Sequence, residues 1–168
     1  QLEKKHKLSK AQVILNSSHT HSGPVLNKAL EDIYPMTPEE QLKVNKYTKE
    51  LIEKVLQLAD AALKNLEPVT VASANGVTRF QVNRRNNPAN LLTQLPELKG
   101  PNDYAVPVVK VTNAKGDVKA ILFGYACHPT VLGINQWSGD YAGFAQIELE
   151  RLYPTATAMF FQGAAGDQ

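Results

Sequence analysis

The chain has 168 residues, 43% apolar, 20% charged and 7% aromatic, a composition that suits one globular domain burying about two-thirds of its unfolded surface and excludes fibrous, collagen-like and wholly disordered chains. Eighteen Lys and Arg against sixteen Asp and Glu leave a formal charge of +2, too balanced for a partner held by bulk charge, so no nucleic-acid partner is expected. The longest apolar stretch, Ala120 to Cys127, is far short of the roughly 20 residues of a membrane-spanning helix.

In chain order, Leu2 to Lys10 is a basic run that reads as the tail of a helix, its lysines and His6 in solvent. Val13-Ile14-Leu15, β-branched and stopped by Asn-Ser-Ser, predicts a short buried strand, with Ser18-His19-Thr20-His21-Ser22-Gly23-Pro24 in the loop after it. Asn16-Ser-Ser18 matches a glycosylation acceptor but lies beside that strand, so it is set aside. Thr37-Pro-Glu-Glu40 offers an N-cap hydroxyl, proline at the first helical position and a reciprocal glutamate. Tyr47, Leu51, Val55, Leu58, Ala62 and Leu66 then recur at helical spacing, and Pro68 ends the helix.

Four strands are expected next: Val69 to Ser73, Val77 to Val82, Val106 to Thr112 and Lys119 to Ala126, the last two joined by an Asn113-Ala-Lys-Gly116 hairpin turn and so antiparallel. Asn86 to Asp103, with Pro88, Pro96, Gly100 and Pro101, reads as a long loop. Asp140 is a natural N-cap for a second helix ending near Pro154, and Ala158 to Phe161 forms a last strand running into Gly163-Ala-Ala-Gly-Asp167. The expected architecture is a layered α/β or α+β domain, a mixed sheet flanked by helices, with 1–168 a single domain fragment. The start at Gln1 without Met and the loop-like end at Gln168 are read as marking a piece of a longer protein.

Cys127 is the only cysteine, which excludes an intrachain disulfide and a cysteine-based zinc site. Three apolar strands are followed by loops carrying unusual polar residues: His19-Thr-His21-Ser22, His128-Pro129-Thr130 and Gly166-Asp167. Such loops, at the carboxyl ends of strands, are where α/β folds place ligands. If these ends share one sheet edge, three histidines converge, and imidazoles with an oxygen ligand are a common way to hold zinc. Read singly, His19 and His21 also fit a polar turn bonding carbonyls, and His128 a core histidine donating one N–H. Arg84 and Arg85 suit a carboxylate or a developing oxyanion, or a solvated strand end. Asp140 is a helix cap or a carboxylate that orients a metal-bound histidine. Trp137 reads as core or as the wall of a cleft, and Gly163 to Gly166 as a turn permitting close backbone approach. No Gly-x-Ser-x-Gly elbow, phosphate loop, dinucleotide-binding glycine pattern or His-Glu-x-x-His helix is present.

The ordered set Ser18-His19-Thr20-His21-Ser22-Gly23-Pro24, Asn83-Arg84, Tyr125-Ala-Cys-His128-Pro129, Asp140-Tyr-Ala-Gly143-Phe144-Ala145 and Gly166-Asp167 resembles the catalytic domain of neutral/alkaline ceramidases and their bacterial relatives. The resemblance implies a zinc-dependent amidase that splits an N-acyl sphingoid lipid, or a related amide, into fatty acid and base. It assigns zinc to His19 and His128, places His21 and Arg84 near substrate in catalytic roles, and puts Gly166 and Asp167 in a substrate loop. It further implies a glutamate and a tyrosine ligand and a catalytic serine downstream of Gln168, a secreted or periplasmic location, and membrane contact through the lipid substrate. Arg85 departs from the small residue the family carries there. The alternative within the same resemblance is an inactive relative that binds a lipid or a glycan.

Overall fold

The computed structural model describes residues 2–30 and 32–168, in which two compact units are distinguished: residues up to Leu15 together with Gly23–Glu67, and Asn16–Ser22 together with Pro68–Gln168.

In the first unit, α1 is Leu2–His6 and α2 is Pro38–Lys64. The capping box forms as its sequence dictates: Glu40 N–H donates to Thr37 Oγ1 at 3.2 Å, and Thr37 N–H donates to Glu40 Oε2 at 2.8 Å. This supplies two of the partners that a helix start otherwise lacks. The apolar stripe departs from expectation in the second half of the helix. Leu58 and Leu66 are 68% and 77% exposed, while Leu56, Ala59 and Leu63 are half-buried on the covered face. Leu2, Leu8, Val13 and Leu15 line a cavity of about 430 Å³ with Leu51, Val55 and Leu56 of α2. The basic run is also more than a solvated face, because Lys5 and His6 both pair with Asp60 of α2.

No strand forms at Val13–Leu15, and Ile14 and Leu15 are each 80% exposed. Three apolar residues satisfy the periodicity of a strand but not its need for a hydrogen-bonded neighbour.

The second unit is built on a four-stranded sheet in the order β1-β2-β3-β4, comprising Val69–Val77, Ala105–Asn113, Val118–Tyr125 and Thr157–Gln162. The first two pairings are antiparallel and the last is parallel, so the sheet is mixed as expected. The β2–β3 turn is the one the sequence signals. Asn113 Oδ1 accepts from the amides of Lys115 and Asp117, and Gly116 takes φ +90°, a value glycine adopts without a Cβ clash. The two strands expected at 69–73 and 77–82 are instead one strand ending at Val77. Asn75 and Gly76 stay in register with Pro107 and Val106, and beyond them the chain leaves the sheet to bury Gln81 and Asn83.

One face of β3 and β4 carries the core. Ile121, Phe123, Tyr125 and Ala158 are buried, and Phe160 meets Phe123 and Tyr141 edge to face at centroid distances of 5.4 and 5.7 Å. Tyr141 and the fully buried Ala142 belong to α3, Asp140–Leu152, which connects the parallel strands and packs on β4. The free side of β4 is met by side chains rather than by another strand. Glu150 Oε1 accepts from Ala158 N–H at 3.0 Å, Gln146 Nε2 donates to Ala158 O at 2.8 Å, and the Asn16 carboxamide bonds both backbone groups of Gln162. An edge occupied in this way is a poor template for pairing with another chain. Among the described residues no helix is long and apolar enough to cross a membrane.

Candidate metal centre

Because β3 and β4 run parallel, their carboxyl ends share one sheet edge, and the His128 loop and the 163–168 loop leave from it together. The histidine-bearing segment 16–22 is fastened to the same unit at several points. Thr20 Oγ1 donates to Ser138 O at 2.9 Å, Ser138 N–H donates to Ser22 O at 3.1 Å, and Asn16 holds Gln162. His19 lies in the left-handed region, φ +57°, a conformation uncommon for residues with a Cβ and concentrated at functional sites.

These constraints bring three imidazoles together. The Nε2 atoms of His19 and His21 are 3.3 Å apart, and those of His21 and His128 are 3.1 Å apart. The three rings are mutually edge-on with centroids 4.7 to 5.0 Å apart, and all three offer a ligand atom within 4.8 Å of the others. Donors at about 2.0–2.1 Å from one tetrahedral zinc sit about 3.3 Å from each other, so nitrogens gathered this closely can converge on one small cation.

The chemistry of the donor set agrees with a metal. His128 Nδ1 lies 3.0 Å from Ala165 O, and a carbonyl only accepts, so Nδ1 carries the proton and Nε2 presents its lone pair to the cluster. Metal-binding histidines are commonly held by such a bond through the second nitrogen. The pKa of His19 is lowered, first by burial and then by the nearby His128, His21 and Arg84. Its neutral form, the one that binds cations, therefore persists to lower pH than that of a free imidazole.

Arg84 belongs to the same neighbourhood. Its Nη2 donates to Gly166 O at 2.6 Å and its backbone N–H to Asp167 O at 2.8 Å. Gly166 and Asp167 are thus joined to Arg84, and Ala165 just before them to His128. The Asp167 carboxyl is held below its ordinary pKa, chiefly by the Gln168 side chain, with Asn83 contributing. Arg85 contributes its backbone amide to Asn83 Oδ1 at 3.0 Å, while its side chain is exposed.

Asp140 takes a different place from a carboxylate on a metal-bound histidine. It is fully buried at φ +54°, and its oxygens accept from the amides of Val131, Leu132 and Tyr141 at 3.3, 2.8 and 2.7 Å. It anchors the loop after His128, and the cap position of α3 falls to Gly139. Trp137 is 77% exposed and so is no core residue.

Sequence reasoning marks Asn83 only as the partner of Arg84 in the resemblance and misses Asn87, and the two together organise the 83–103 loop. Asn83 and Asn87 are each 1% exposed, and Asn87 bonds Asn83 O and both backbone groups of Lys99. The signal for Asn87 is the Asn-x-x-x-Asn spacing in a polar run. Gly100 closes this loop at φ +93°, where a Cβ would lie 2.4 Å from Asn86 Oδ1 and 3.0 Å from Asn83 Cγ. Gly100→Ala is expected to destabilise the protein by about 2–4 kcal/mol through left-handed strain and overpacking, read as a lowered urea midpoint with unchanged slope.

The sequence matches no family model and no curated protein. Among solved structures, neutral ceramidase from Pseudomonas aeruginosa superposes with a TM-score of 0.65 at 17% identity, over 90% of this chain and 25% of that one. A ceramidase complexed with C2 superposes with a TM-score of 0.65 at 18% identity, over 90% of this chain and 24% of that one. The fold is ceramidase-like. The chain spans about a quarter of the length of the ceramidases it matches. Within this ceramidase-like fold the histidine cluster sits at the sheet edge where strand-end loops gather, the location that the topology favours for a ligand.

Proposed function

We propose that this chain is the metal-bearing segment of a zinc-dependent amidohydrolase whose substrate is the amide of an N-acyl sphingoid lipid or a closely related amide. The observation that carries this reading is the convergence of Nε2 atoms from His19, His21 and His128, with the His128 tautomer set by Ala165. The ceramidase-like fold and the His-Thr-His-Ser-Gly-Pro string support the substrate class.

His19 and His128 are the residues that would hold the metal, which when bound supplies Lewis acidity and a nucleophile at neutral pH. His21 borders the same position, its Nε2 within hydrogen-bond reach of both other nitrogens, and moves a proton there. Arg84 spends one N–H on Gly166 O. A guanidinium has five donors in a planar fork, so others remain for the oxyanion that develops when an amide carbonyl is attacked.

The complete protein is expected to release fatty acid and sphingoid base from a short-chain N-acyl sphingosine, to lose that activity to a chelator and to regain it with added zinc. A zinc-loaded protein that binds the lipid without cleaving it would favour a binding relative instead.

A further inference from the structure

Three successive residues of the loop after β4 each hold one group at the site: Ala165 O the His128 imidazole, Gly166 O the Arg84 guanidinium, and Asp167, through its backbone carbonyl, the Arg84 amide. One further group ties this loop to the turn that carries Arg84. The Asn83 carboxamide, 1% exposed, donates from Nδ2 to Pro101 O at 2.9 Å and to Asp167 Oδ2 at 3.3 Å, while its Oδ1 accepts from the amides of Arg85 and Asn86 at 3.0 and 3.2 Å. A buried carboxamide using both ends in this way fixes its neighbours, because any displacement leaves polar groups without partners in a dry environment.

We propose that Asn83 is a positioning residue: its carboxamide clamps the Arg84 turn to the Ala165–Asp167 loop and so presents the Arg84 guanidinium to the reacting carbonyl beside the histidines. This rests on the amidohydrolase reading. Asn83 touches neither metal nor substrate and acts through Arg84. Two tasks are thereby divided within one site, the metal falling to histidines that Asn83 does not bond and the oxyanion donor to a turn that Asn83 clamps.

The test uses the complete protein with Asn83→Asp, Asn83→Ala, Arg84→Ala and the double variant Asn83→Asp/Arg84→Ala. Asn83→Asp keeps the oxygen that caps the Arg85 and Asn86 amides, but sets a carboxylate against Asp167 and Pro101 O, opening the clamp while preserving the fold if the alanine variant is too unstable to study. With a short-chain N-acyl sphingosine as probe, Asn83→Asp should lower kcat at least tenfold, change KM less than threefold and leave zinc content at the wild-type level. Added to Arg84→Ala it should cost nothing further, since both changes remove the same donor. Losses that multiply in the double variant would overturn the clamp. A crystal structure of Asn83→Asp decides the placement without any turnover: Arg84 released from Gly166 O with the histidines unmoved is expected, and Arg84 still bonded there overturns the inference. An inactive wild-type protein would instead count against the amidohydrolase reading, while the crystal structure still reports on the clamp.

Discussion

Replacing His128 with alanine is expected to abolish stoichiometric zinc binding in the complete protein, and His19→Ala should do the same. Each change removes a nitrogen from a cluster in which the His21 Nε2 lies 3.3 Å from that of His19 and 3.1 Å from that of His128, and leaves two imidazoles where three converged. Loss of a group that merely orients a ligand costs about 10–100-fold in metal affinity, so loss of the ligand itself should cost more. The effect is also visible in stability. At a free zinc concentration of about 100 times Kd, the wild-type protein should gain about 2.7 kcal/mol, and each alanine variant, with affinity weakened more than 100-fold, less than about 0.4 kcal/mol at the same concentration. Thermal melts with and without zinc check this directly. Because protons compete for the same nitrogens, zinc affinity should fall as pH drops through the imidazole range. His19 has its pKa lowered, so its protonation is disfavoured by folding, and the stability linked to it is full above the unfolded imidazole pKa and lost as pH falls through the folded one.

Asp140→Ala should be the most damaging single change outside the histidines. The residue is completely buried and accepts from three backbone amides, those of Val131, Leu132 and Tyr141. Alanine would leave all three without an acceptor. An unsatisfied buried amide costs about 1–3 kcal/mol, so with the amide of the exposed Val131 reaching water the other two predict a loss of about 2–6 kcal/mol. Since Val131 and Leu132 follow His128-Pro129-Thr130, hydrogen exchange should rise across 128–132 before it rises in β3. Zinc affinity should weaken along with it. Asp140→Asn should be milder, because it retains one acceptor oxygen while turning an NH₂ toward an amide.

Much of the frame of the second unit is legible in the sequence, for local reasons. The Asn113-Ala-Lys-Gly116 turn carries its own hydrogen bonds and its own left-handed glycine, and the Thr37 capping box needs only residues within one helical turn. Features that depend on distant partners are not legible in the same way. Val13–Leu15 has the residue types of a strand but no strand forms there. The half-buried side of α2 lies at Leu56, Ala59 and Leu63 and not at Leu58, Ala62 and Leu66, and its neighbours at Leu56 include Leu2, Leu8 and Val13, far from it in sequence.

The candidate site divides along the same line. Histidines in polar loops are conspicuous in a sequence because so few residue types bind metals. The group that orients His128 is the Ala165 carbonyl, which every residue type possesses, and Asn87 beside the Arg84 turn reads as loop polarity until it proves to be buried. Asp140 is visible as a helix-start residue, but its service to the 128–132 loop depends on a left-handed backbone that no pattern announces.

Zinc X-ray absorption of the complete wild-type protein, with metal content measured on the same sample, tests the histidine centre most directly. One zinc per chain, with scattering from at least two imidazoles at about 2.0–2.1 Å, is the predicted result. A protein without zinc above background after incubation with the metal, or one whose bound zinc shows no imidazole scattering, would contradict it.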